Sequence, residues 1–134
     1  MRKLITLLAG TLMLGGVAQA RQPQDPEAQL AQALRDRVAG EPVHCIDLHR
    51  IRSSRIIDGT AIVYDAGSVI YVNRPANGAS ELTQWDTMVT RTYTSQLCNV
   101  DTVTMIDRSS QTFSGVVFLG DFVPYRRVST ASQQ

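Results

Sequence analysis

Two cysteines, Cys45 and Cys98, are the only ones in the chain, so an intramolecular disulfide has a single possible connectivity. Such a bridge would tie the opening of the folded part to the segment that precedes its second half. Closing so long a loop removes entropy from the unfolded chain worth on the order of 4 kcal/mol. Against the roughly 5–15 kcal/mol that stabilises a small domain, that is a large share. The thiols oxidise only in a suitable compartment, so the N-terminus decides what the pair can do.

That N-terminus reads as an export signal. Arg2 and Lys3 form a positive start, Leu4 to Val17 is an uncharged apolar stretch, and Ala18-Gln19-Ala20 supplies the small-x-small pattern of a signal peptidase site. The alternative is a membrane anchor, but the apolar run falls short of the roughly 20 residues a spanning helix needs. Residues 1–20 are therefore expected to be a signal peptide cleaved after Ala20. No cysteine follows that site closely enough for a lipoprotein, so no stable membrane anchor is expected. The chain is placed in the periplasm or among secreted proteins.

Cleavage would leave about 114 of the 134 residues, enough for one domain with a modest core. With 43% hydrophobic and 19% charged residues, the composition is that of a folded globular protein. Loss of Arg2 and Lys3 turns the net charge from +1 to about −1, with Lys3 the only lysine in the chain. Schiff-base chemistry and a P-loop lysine are excluded, and no global charge draws the chain to nucleic acid.

Residues 21–24 are expected to be a flexible leader. Asp25-Pro26 opens a helix as N-cap and first position. Leu30, Leu34 and Val38 then recur on one face, and Gly40 and Pro42 end it, which predicts an amphipathic N-terminal helix over 25–40. A β-rich domain over 43–124 follows. Its clearest part is a three-stranded meander: Arg55-Ile56-Ile57, a turn at Asp58-Gly59, Thr60–Tyr64, a turn at Asp65-Ala66-Gly67, and Ser68–Asn73. Val43–Ile46, Met88–Tyr93 and Thr102–Ile106 read as further strands, and Gln96–Cys98 as a helical turn. Gly115–Leu119, apolar on both faces, reads as a central strand or one beneath the helix. Residues 125–134 read as a disordered tail. The expected fold is α+β, mainly β: one helix and about six short antiparallel strands in a small roll or barrel, which hides its edges.

Several short motifs in this stretch carry a resemblance: Cys45-Ile46, Ile57-Asp58 before Thr60, Tyr71 with Asn73, Leu97-Cys98 followed by Asp101, and Leu119-Gly120-x-Phe122-x-Pro124. From Cys45 to Pro124 the chain resembles a family of small exported proteobacterial domains of unknown function. Members often have two further cysteines, one in the loop matching Asn73–Leu82 and one where this chain has Val117. Their joint absence here would leave Cys45 and Cys98 as the remaining pair. The resemblance implies fold and location, and no activity.

Three functional readings follow. The first is a non-enzymatic binding or structural component of the bacterial envelope, its partner an envelope protein or a small ligand. The second is a small envelope enzyme using His44, Asp47 and His49, with Asp101 a further candidate carboxylate that suits a turn cap better. The third is an anion or lipid-headgroup binder using Arg50, Arg52 and Arg55, although Asp47 and Asp58 flank that cluster and would pair with it. His44 and His49 with the two thiols could also form a zinc site, and a Cys–His pair a nucleophile; an oxidising compartment disfavours both. No cofactor, metal or nucleic-acid partner is expected. Trp85, alone in a polar stretch, reads as a plug for the core, or else as an exposed binding aromatic.

Overall fold

A computed structural model describes residues 23–128. The expected signal peptide, its cleavage site and residues 129–134 lie outside them.

The described residues form one α-helix and ten strands, in three antiparallel sheets that do not close. Helix α1 (Pro26–Ala33) is followed by β1 (Arg37–Ala39), β2 (Cys45–Asp47), β3 (Ser53–Ile57), β4 (Ala61–Asp65) and β5 (Val69–Asn73). Then come β6 (Asp86–Thr90), β7 (Gln96–Cys98), β8 (Thr102–Asp107), β9 (Phe113–Phe118) and β10 (Phe122–Arg127). The central sheet has the order β1-β10-β5-β4-β3; β6-β8-β9 make a second sheet and β2-β7 a two-stranded ribbon.

Side chains alternate across the central sheet, so its two faces bury different sets. Ile57, Ala61, Val63, Ile70 and Val72 pack beneath α1 with Leu30 of the helix. Ile56, Ile62, Tyr64 and Phe122 face the other way, against Val103, Met105 and Val117 of the second sheet and Ile46 and Leu97 of the ribbon. The molecule is thus layered as helix, sheet and broken sheet. Mainly β architecture is as expected; a closed barrel is not formed.

The meander folds as its turn residues require. Gly59 sits at φ +60°, a conformation costly for side chains with a Cβ. Elsewhere distant partners override local pattern. The helix ends at Ala33 rather than 40, because Asp36 turns left-handed and Arg37, Val38 and Ala39 pair with Arg127, Arg126 and Tyr125. The same pairing takes Tyr125–Arg127 out of the expected tail. Gln96–Cys98 is a strand, not a helical turn, since it lies opposite Asp47–Cys45. β9 is neither central nor beneath the helix: it ends the second sheet, its outer side bridged by Asn77 at Phe118.

Cys45 and Cys98 face each other directly in the ribbon and are joined as a disulfide. The motifs quoted for the resemblance are structural here. Ile46 opposes Leu97, and the Asp101 carboxylate accepts the Cys98 N–H at 2.7 Å, the turn-capping role expected of it.

Candidate functional site

The three arginines close in sequence go to three places. Arg50 ends a single 3-10 turn, Leu48–Arg50, and its Nε lies 3.8 Å from Asp47. Arg52 lies over the next turn: a Cβ on Gly67 would come within 2.9 Å of its Cζ. Arg55, in the middle of β3, borders a cavity. β3 is the last strand of its sheet, so its long side chain lies at an open edge.

That cavity, about 360 Å³, separates two strands that do not pair. β3 contributes Ser54, Arg55 and Ile56; β6 contributes Asp86, Thr87 and Met88; Gln29 of α1, Gln84 and Arg108 complete it. Ile56 and Met88 form an apolar floor, with Ile56 part of the main core. Two further depressions, of about 390 Å³ against α1 and about 290 Å³ on the helix-bearing face of β3, β4 and β5, are also bordered by Arg55.

Local hydrogen bonds hold these walls. Asp58, at the β3–β4 turn, accepts the Gln84 N–H at 2.6 Å and the Gln84 carboxamide at 3.3 Å. The Gly59 N–H donates to the Leu82 carbonyl at 2.9 Å, so the hairpin tip is tied to the segment leading into β6. Asp58 was expected to pair with an arginine; it instead anchors this end of the cleft. Arg108 is placed by the β8–β9 turn, where the Asp107 carboxylate accepts from the N–H and hydroxyl groups of Ser109 and Ser110. Those bonds hold the Asp107 carboxyl at about 2, well below the ordinary aspartate value.

The electrostatics favour an anion. Among the described residues, ion pairs join Arg50 to Asp47, Arg74 to Glu27 and His44 to Asp121; none engages Arg55 or Arg108. Asp86 is 4% exposed and accepts the Ser114 hydroxyl, so its carboxylate is engaged at the base of the cleft. The other polar lining groups are two carboxamides and two hydroxyls, beside the apolar Ile56 and Met88. Trp85, between Gln84 and Asp86, is 71% exposed. It does not plug the core, and its chain neighbours Gln84 and Asp86 both line the cleft.

The His44, Asp47 and His49 neighbourhood is not assembled as a catalytic group. Asp47 accepts the His49 backbone N–H, capping the 3-10 turn. His44 instead lies 3.0 Å from Asp121, which also accepts the Asn99 carboxamide at 2.7 Å. These bonds, His44 first, lower the Asp121 carboxyl from its ordinary value. The His44 side chain is 78% exposed, so water screens the pair and no wall holds a substrate against it. The disulfide consumes both thiolates that a zinc site or a cysteine nucleophile would need. No group of three or more metal-ligating side chains is assembled among the described residues.

The sequence pointed to Arg55 but not to its companions. Arg108, Gln84 and Asp86 belong to different local motifs, and only the approach of the β8–β9 turn and of β6 to β3 assembles them. Searches of protein-family models, of curated proteins and of solved structures find no match to this chain.

Proposed function

We propose that this chain is an exported binding domain of the bacterial envelope that recognises an anionic group in the cleft at Arg55 and Arg108. One observation carries the reading: two arginines without an ion-pair partner among the described residues border the same cavity, lined otherwise mainly by neutral hydrogen-bonding groups. Arginine's planar fork suits carboxylate and phosphate oxygens alike.

Export is supported by the charged start, apolar run and Ala18-Gln19-Ala20 of the sequence, and by a disulfide that needs an oxidising compartment. The resemblance to small exported domains agrees with it. No helix of the described residues is long and apolar enough to cross a membrane. Binding rather than catalysis is favoured because the lining residues of the cleft include neither histidine nor cysteine, and His44 lies elsewhere against Asp121.

Trp85, the only tryptophan, makes the test direct. Its fluorescence should change saturably on titration with inorganic phosphate or with glutarate, and the change should weaken as salt rises. Replacing Arg55 and Arg108 together by glutamate should abolish it. A flat titration with both anions, or one that survives the double replacement, would refute the reading.

A further inference from the structure

The cleft is bordered by two strand edges without partners among the described residues. β3 ends the five-stranded sheet, β6 ends the three-stranded one, and no ladder joins them. An edge strand presents a row of unsatisfied backbone N–H and C=O groups, a template for one more strand. The other edges are guarded. β1, β2 and β7 are only three residues long, and β9 is bridged at Phe118, whose carbonyl accepts from Ala76 and whose N–H donates to Asn77. β3 has five residues with no proline and no bulge, and Ser53, Ser54 and Arg55 are exposed.

Charge selects the occupant. On an added strand, a side chain directly opposite Arg55 would stand roughly 5 Å away, close enough for an opposite charge to be favoured and a like charge to be disfavoured. Arg108 borders the same cavity, so a carboxylate there would meet two guanidinium groups. The hydroxyls of Ser54 and Thr87 and the carboxamide of Gln84 suit a polypeptide backbone.

We propose that the β3 edge receives an extended polypeptide segment of a partner protein, added as a sixth strand, with an acidic side chain held by Arg55 and Arg108. The proposal rests on the anion-site reading and deepens it by naming the ligand class. Main-chain bonds to β3 would supply affinity, and the arginines would supply register and selectivity.

The test uses the isotope-labelled chain and three capped five-residue peptides of alternating threonine and valine. One has a central glutamate, one a central lysine, and one the glutamate with alternate backbone nitrogens methylated. The glutamate peptide should shift the amide resonances of Ser53–Ile57 saturably and bind at least tenfold more tightly than the lysine peptide. Methylation should remove binding. Arg55→Glu should reverse the preference toward the lysine peptide, with the unchanged spectrum of distant residues verifying the fold. Equal binding of the methylated peptide, or no shift along β3 from the glutamate peptide, would overturn strand addition. If phosphate or glutarate still perturbs Trp85 in that case, the anion site stands and only the strand proposal fails. If no anion binds either, both fall.

Discussion

Asn73 is wholly buried at the end of β5, yet its carboxamide is satisfied twice by one residue: it donates to the Gly120 carbonyl at 2.7 Å and accepts the Gly120 N–H at 3.0 Å. Gly120 has to be glycine, because a Cβ there would lie 2.4 Å from the Arg74 carbonyl oxygen. Asn73→Ala would strand a donor and an acceptor in the interior, at a cost of about 2 kcal/mol or more. Urea denaturation checks this, and a loss below about 0.5 kcal/mol would contradict the bonding described. Asp107 makes a second prediction at this scale. Its carboxyl is held at about 2, below the ordinary 3.8, so its contribution is present in full above the ordinary value and is lost as pH falls toward 2. Titration followed by NMR should give a midpoint near 2, and Asp107→Asn should remove that transition from the Ser109 and Ser110 amides. Because the same turn presents Arg108, the substitution should also weaken anion binding. An ordinary carboxylate midpoint would contradict the turn geometry.

Helix α1 is eight residues long, too short to persist on its own in water, so it exists because it docks. Leu30, 3% exposed, is its main anchor over Ile57, Val63 and Val72, and a two-bonded pair of Glu27 with Arg74 secures its start. Leu30→Ala should cost about 2–4 kcal/mol. Amide exchange should show the helix and the Arg55 side of the cleft loosening before the second sheet; uniform loosening would count against a separately docked helix. The leucine spacing made this helix legible in the sequence, but its end was not. Nothing local marks Arg37–Ala39 as a strand, since its bonds come from the far end of the chain. The meander was legible because Asp58-Gly59 and Asp65-Ala66-Gly67 state their own turns. Gln96-Leu97-Cys98 was not, because its extension depends on the ribbon it makes with Cys45–Asp47.

At the scale of the molecule, the disulfide locks the two strands of the ribbon to each other, and Ile46 and Leu97 beside it are both buried in the main core. Replacing Cys45 and Cys98 together by serine should lower stability by about 4 kcal/mol in the chain-entropy account, with reduction of the native chain giving a similar loss. A loss under about 1 kcal/mol would mean that the ribbon is held by packing alone. The core that the bridge supports leaves a seam between β3 and β6, and the proposed site lies in that seam. What the sequence determined by itself was local or countable: the single cysteine pairing, the turns that their own residues dictate, the helix stripe, and an arginine-rich stretch containing Arg55. What only the tertiary structure decided was which distant segments meet: the two terminal strands β1 and β10, the β2–β7 ribbon, and the gathering of Arg55, Gln84, Asp86 and Arg108 around one cleft. The physical reason is that backbone hydrogen bonding between strands is indifferent to sequence distance. Pairing is selected by the burial of whole faces, and side chains at the resulting edges become neighbours without any pattern along the chain to announce it.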